Sequence, residues 1–80
     1  MPLLATLSNC GIYVYAGDHN PPHFHLRGPA SRALVNIATL EVMAGKASRK
    51  DLQEALEWAS VPENLERLVT EWRRLNEREE

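Results

Sequence analysis

The spacing of apolar residues changes once along this chain of 80 residues, and that change constrains the fold more than any other feature. Up to about residue 43, apolar and polar residues tend to alternate, the period of two that is typical of strands packed on one face. After residue 48 apolar residues recur every three or four positions, as in amphipathic helices. Strands followed by helices predict an α+β fold with two helices packed on one face of a small antiparallel sheet.

Three runs of strand-forming residues lie at 12–16, 23–27 and 32–38, and residues 40–43 predict a short fourth strand before Gly45. Residues 3–9 have no firm period and fit a loop or a short edge strand. The links between the runs are short, which favours antiparallel neighbours. We therefore expect a sheet of three to four strands.

Two faces follow from the alternation in these runs. Phe24 and Leu26 fall on one side of the second strand, and this apolar side is expected to enter the core. Ile12 and Val14 do the same in the first strand, and Ala33, Val35 and Ile37 in the third. The opposite side of the first two strands would present aromatic and cationic groups, namely Tyr13, Tyr15, His23, His25 and Arg27.

Two helices are predicted between residues 48 and 78. Ser48 precedes the first as a capping residue, and Ser60 with Glu63 forms a Ser-x-x-Glu capping box before the second, with Pro62 in its first turn. Trp58 and Trp72 lie on the apolar stripes and are expected to fill the space between helices and sheet. The chain thus reads as a single domain, 1–80, with strands and a proline-rich corner in 1–45 and helices in 48–78.

Composition narrows the function classes. The net charge is −2, and the acidic excess lies in the second half, which argues against a double-stranded DNA-binding protein. The sequence has no apolar run near the ~20 residues needed to cross a bilayer and no basic leader, so we expect a cytoplasmic protein without a membrane segment. The single cysteine, Cys10, predicts a small buried apolar group. A chain this short also makes a homodimer a live hypothesis.

Residues 18–27, Asp-His-Asn-Pro-Pro-His-Phe-His-Leu-Arg, contain all three histidines and two of the five prolines. Prolines fix the backbone of a corner, while Asp18 and Asn20 can bond nearby amides. The cis or trans state of the bonds before Pro21 and Pro22 is left open by the sequence. This mixture of stiff, polar and titratable residues indicates a turn whose side chains bind a ligand or take part in a reaction.

That motif, after the strand Ile-Tyr-Val-Tyr-Ala and before Glu57-Trp58-Ala59 and a helix with Trp72, resembles the bacterial domain-of-unknown-function (DUF) family 4160. Leu26 stands where the family usually has valine. The resemblance spans nearly the whole chain and implies no established catalytic residue. It implies a small regulatory module, in some cases one half of a toxin–antitoxin-like operon pair, with a protein partner encoded nearby.

Metal binding is one hypothesis for the motif. His23 and His25 lie two residues apart on a strand, so both imidazoles project to the same side, and Asp18 or His19 could add ligands from the turn. Imidazole and carboxylate ligands would suit a divalent transition metal such as zinc, nickel or iron. The alternative is that the histidines form hydrogen bonds that hold the corner in shape.

Binding of RNA or of a protein is a second hypothesis. Rings for base stacking and cations for phosphate are the combination that single-strand RNA-binding sheets use. Tyrosine, histidine and arginine also suit a protein interface. The candidate ligand or partner surface is the set Tyr13, Tyr15, Asp18, His19, His23, His25 and Arg27.

Catalysis is a third hypothesis. His23 and His25 could act as general acid and base, with Arg27 stabilising developing negative charge, as in a small nuclease or hydrolase. Any pair of histidines gives this signal, so we favour a non-enzymatic binding or regulatory module and keep a metal- or histidine-dependent nuclease as the alternative.

Overall fold

The computed structural model describes residues 3–17 and 21–76 and confirms the α+β architecture. The strands are β1 (Leu3–Thr6), β2 (Gly11–Tyr13), β3 (His23–Gly28), β4 (Ser31–Asn36) and β5 (Val42–Lys46), and the helices are α1 (Arg49–Ser60) and α2 (Pro62–Asn76). The expected count of three to four strands is wrong, because the described residues form five. The corner residues Asp18, His19 and Asn20 lie outside the described residues.

The last strand lies later in the chain than residues 40–43. Asn36 holds a turn here, since its side-chain oxygen accepts from the amides of Ala38 and Thr39, and its carbonyl accepts from the Leu40 amide. Leu40 has a positive φ of 60° at the end of this turn, and strand pairing resumes at Val42. Gly45 has a φ of 81° and continues β5, where the sequence had placed the strand's end.

The sheet is an antiparallel meander in the order β1-β2-β3-β4-β5. Its register aligns residues in rows across the strands. One row runs Gly11, Arg27, Arg32, Lys46, and the next runs Tyr13, His25, Leu34, Ala44. Both rows point to the side away from Phe24 and Leu26, because successive side chains of a strand alternate between faces.

The hydrophobic core lies between the other side of the sheet and the helices, as the alternation predicts. Phe24 and Leu26 are completely buried, and so are Ala55 and Ala59 of α1 and Leu68 of α2. Further sheet residues complete the same cluster: Ile12, Val14, Val35 and Ile37. Trp72 is 2% exposed, whereas Trp58 is half-buried at the margin of the core. The two helices therefore cover one face of the sheet and leave the other uncovered.

The start of α1 is tied to the sheet by a buried hydrogen-bond chain. The Ser48 side chain accepts from the Asp51 amide at 3.1 Å, which confirms Ser48 as the cap. The Ser31 hydroxyl donates to the Asp51 carboxylate at 2.6 Å and accepts from the Ser48 amide. Asp51 is 2% exposed, and the hydrogen bond from Ser31 of β4 supplies its buried carboxyl group with a polar partner.

The capping box predicted for the second helix is wrong. Ser60 is the last residue of α1, and its hydroxyl donates to the Leu56 carbonyl at 2.7 Å in its own helix. The amide of Leu65 donates to the carbonyl of Val61, so Val61 takes the N-cap position and Pro62 is the first residue of α2. Proline at that position lacks an amide that would have no helical partner, so it still marks the helix start.

Within the described part of the chain, no helix is both long and apolar enough to span a membrane. Cys10 is buried at 7% exposure and packs in the hydrophobic core, as expected.

Candidate binding surface

The uncovered side of the sheet, which we call the open face, is formed by the outward residues of β2 to β5 and by Tyr15 just after β2. Its members are half-buried or exposed: Tyr13, Tyr15, His25, Arg27, Arg32, Leu34, Ala44 and Lys46. The helices pack on the opposite side, so these side chains are available to a ligand.

Three cations form a row across one end of the open face. Arg27 of β3 is directly opposite Arg32 of β4, which is directly opposite Lys46 of β5. Neighbouring strands lie about 4.8 Å apart, so the three Cα atoms span roughly 10 Å. We call these residues the basic row. Among residues 3–17 and 21–76, no ion pair engages any of the three, and the five strands contain no acidic residue.

An aromatic cluster lies beside the basic row. The rings of Tyr13 and Tyr15 are parallel within 3°, with centroids 5.9 Å apart. Tyr15 meets the His25 ring edge-on at 4.5 Å, and its hydroxyl accepts a hydrogen bond from Arg27 Nη1 at 2.9 Å. The cluster and the row are thus joined through one hydrogen bond, which fixes the guanidinium of Arg27 against the rings.

Gly11 makes room for the Tyr13 ring. A Cβ at position 11 would lie 2.9 Å from Tyr13 Cε1 and 3.1 Å from Leu3 Cδ1. The tyrosine ring therefore lies against the backbone of β2 at the end of the face where the basic row begins. A side chain at position 11 would displace that ring.

A shallow hollow of about 370 Å³ lies in the middle of the open face. It is lined by His25, Arg27, Arg32, Ala33, Leu34, Ala44 and Gly45. A second hollow of similar volume lies at the β3–β4 turn and shares Arg32, with Lys46 on its wall. Cationic groups therefore border both hollows.

Residues 11–73 match the family model described as Domain of unknown function (DUF4160). The chain belongs to this family. The matched segment runs from the start of β2 into α2, so it contains every residue of the open face. Neither the curated proteins nor the solved structures include a match to the chain.

His23 of this DUF4160 domain is not exposed, contrary to the expectation from alternation. It is 6% exposed, its ring lies 5.1 Å from the Trp72 ring, and its Nδ1 is 2.9 Å from the Pro21 carbonyl oxygen. The cause is tertiary: the end of α2 packs over this end of the sheet, where the Asn76 side chain donates to the Tyr15 carbonyl. The hydrogen bond to Pro21 is the corner-holding role that the sequence left open as the alternative.

Two of the four proposed metal ligands, His23 and His25, lie close to each other in the structure. The rings of His23 and His25 are 5.3 Å apart. Asp18 and His19 lie outside the described residues, and among those described no group of three or more His, Cys, Asp or Glu side chains could hold an ion. A divalent metal at this corner stays a prediction of the sequence.

Two cations of the open face were missed as site candidates. Arg32 lies in the predicted third strand but was not connected with Arg27, and Lys46 lies beyond the predicted fourth strand. Their alignment with Arg27 depends on the strand register, which the sequence does not state. The available signal was charge: residues 21–40 contain two arginines and no acidic residue.

Proposed function

We propose that this DUF4160 domain is a non-enzymatic binding module with a regulatory role, and that its ligand surface is the open face. The supporting observation is the contrast between the two sides of one sheet. Helices close one side, while the other keeps a basic row and an aromatic cluster in partial contact with solvent.

The composition of the open face fits this proposal. Tyrosine and arginine are enriched where proteins bind other molecules, because each combines a large contact area with hydrogen-bonding groups. Stability does not require them at this place, since a sheet that only needed solubility could carry short polar or mixed charged residues there. The shallow hollow lined by Leu34 and Ala44 adds an apolar contact at the centre of the face.

Site-specific crosslinking tests the proposal without assuming a ligand class. In a Cys10→Ser background, Leu34→Cys places a photo-reactive maleimide on the open face, and Gln53→Cys places it on the exposed side of α1. We expect a discrete adduct from position 34 in cells and none from position 53. Equal adducts from both positions, or none from position 34, would contradict the proposal. An adduct of twice the chain mass would identify a homodimer.

The toxin–antitoxin-like pairing with a protein encoded nearby stays a prediction that rests on the family resemblance. Co-expression of the two neighbouring gene products tests it. We expect a stable complex and a growth effect that depends on which of the two is present. The absence of both results would remove this part of the proposal.

A histidine-dependent nuclease is the second candidate, supported by the 5.3 Å separation of the His23 and His25 rings and by Arg27 on the same strand. His23 is nearly buried, so a substrate would meet His25 first. This candidate predicts RNA cleavage with a bell-shaped pH profile that His25→Gln abolishes. Intact RNA across the pH range 5 to 9 would exclude it.

A further inference from the structure

We infer that the ligand of the open face is a single-stranded nucleic acid, with phosphates on the basic row and bases on the aromatic cluster. This inference rests on the proposed function and names the ligand class of the same surface. Three features of the face support it: the local charge, the order of the rows and the parallel planes of the two tyrosine rings.

Local charge differs from net charge in this domain. The chain carries −2 overall, but the strands carry Arg27, Arg32 and Lys46 and no carboxylate. Among the described residues, six of the seven acidic side chains lie in α1 and α2, and the seventh, Glu41, precedes β5. The open face therefore attracts anions although the whole protein is weakly acidic. Adjacent like charges without a counter-ion are unfavourable, and a bound polyanion relieves that repulsion.

The order of the rows matches the construction of a nucleotide. The basic row is followed by the row that contains Tyr13, His25 and Leu34, two residues further along the strands. Two residues correspond to about 7 Å of strand, a distance that a nucleotide bridges from its phosphate to its base. A backbone lying along the cations would thus place its bases over the rings and over the hollow beside Leu34.

The rings favour unpaired bases over a duplex or an acidic protein. Tyr13 and Tyr15 are parallel and half-buried, and the Tyr13 ring lies against the β2 backbone at Gly11, so exposed aromatic rings are held in fixed positions where bases can stack. In a duplex the faces of the bases are already stacked on each other and are not available to such rings. An acidic protein segment would pair with the basic row but would have no use for parallel aromatic planes.

Fluorescence anisotropy with a fluorescein-labelled ten-nucleotide oligouridylate tests the inference, using the full chain at several salt concentrations. Three phosphate contacts predict that log K falls with log[salt] with a slope of about −2, from about 0.7 per contact for single strands. A ten-nucleotide oligothymidylate forms the second arm and separates RNA from DNA as the source. A ten-base-pair duplex with the same label forms the third arm, and we expect it to bind at least tenfold more weakly.

Variants separate the two halves of the surface. Arg32→Ala and Lys46→Ala should each weaken binding and make the salt slope shallower by about 0.7. Tyr13→Leu should weaken binding by about five- to a hundredfold with an unchanged slope, because it removes stacking without charge. Arg74→Ala is the control: it deletes one exposed arginine of α2 that is not part of the open face, and it should leave affinity and slope as they are. Circular dichroism of each variant confirms that it is folded.

Three outcomes would overturn the inference: no binding of either oligonucleotide, duplex binding as tight as single-strand binding, or an equal loss in Arg74→Ala and Arg32→Ala. None of these contradicts the proposed function by itself. If both oligonucleotides fail while the crosslink from position 34 captures a protein, the open face is a binding surface with a different ligand. If the crosslink from position 34 also fails, both statements fall.

Discussion

The two faces of the sheet are built from alternate residues of the same strands, yet they differ in burial, in charge and in the types of side chain they carry. Phe24 and Leu26 are completely buried beneath the helices, while their neighbours His25 and Arg27 are partly or largely exposed. The covered face consists of aliphatic and aromatic groups that exclude water, whereas the open face carries rings and cations around the apolar residues Leu34 and Ala44. Stability and ligand binding are therefore separated by the direction in which a side chain points, and variants of adjacent residues can test that separation.

The largest expected effect comes from replacing adjacent residues on opposite faces. Phe24→Ala should lower the free energy of unfolding by about 3–5 kcal/mol, because it leaves a cavity between sheet and helices. His25→Ala should lower it by less than about 1 kcal/mol, as partly exposed positions usually do. Urea denaturation of both variants measures the difference, with Phe24→Leu as a milder substitute if the alanine variant does not fold. Similar losses at both positions would show that the open face also belongs to the core.

A second pair of variants, at two glycines with positive φ, separates the cost of backbone strain from the cost of a steric clash. Gly17 and Gly45 both have positive φ, but a Cβ at Gly17 meets nothing within 4 Å, whereas one at Gly45 would lie 2.1 Å from the Arg32 carbonyl oxygen. Gly17→Ala should cost about 1–2 kcal/mol of stability from strain alone. Gly45→Ala should cost about 3 kcal/mol or more, since β5 must also move away from β4.

The same Gly45→Ala variant reports on the open face. Displacing β5 shifts Lys46 out of register with Arg32, so the variant should bind anions more weakly than Gly17→Ala at equal fractions of folded protein. Thermal unfolding combined with binding at a temperature where both variants are folded measures this. Equal stability of the two alanine variants would mean that β5 relaxes freely and does not hold the row in place.

Two serine–carboxylate pairs compare a buried contact with an exposed one. The Ser31 hydroxyl donates to buried Asp51 at 2.6 Å, and the Ser8 hydroxyl donates to Glu54 at 2.9 Å at the surface. Ser31→Ala should cost about 1–3 kcal/mol, because it leaves a buried carboxylate without one of its donors. Ser8→Ala should stay within about 0.5 kcal/mol of the wild type. Chemical denaturation of both variants would refute this ranking if Ser8→Ala proved the more damaging.

The smallest expected effect is a pH dependence on the covered side. Burial, with smaller contributions from the carboxylates of Asp51 and Glu54, raises the pKa of the Cys10 thiol. The folded state therefore holds the thiol proton more tightly than the unfolded state, and this contribution to stability is lost as pH rises above about 8.5. Stability measured from pH 8 to 10.5 should fall more steeply for the wild type than for Cys10→Ala. Parallel curves would mean that the thiol does not titrate differently on folding.

Local sequence patterns correctly predicted several features that depend on a single strand or a single helix turn. The alternation of Phe24 and Leu26 with His25 and Arg27 placed each on its proper side, and Ser48 proved to be the cap of α1. Ser60 shows the limit of such patterns. Its spacing from Glu63 fits a capping box, but the first helix extends through it, and its hydroxyl stays within that helix.

By itself the sequence determined the α+β order and the apolar sides of β2, β3 and β4. The tertiary structure decided three further points: Arg32 and Lys46 stand beside Arg27, His23 is covered by Trp72, and one side of the sheet stays open. The physical reason is how far apart in the chain the interacting residues lie. Alternation follows from the backbone of a single strand, whereas strand register and helix coverage depend on contacts between segments far apart in the chain.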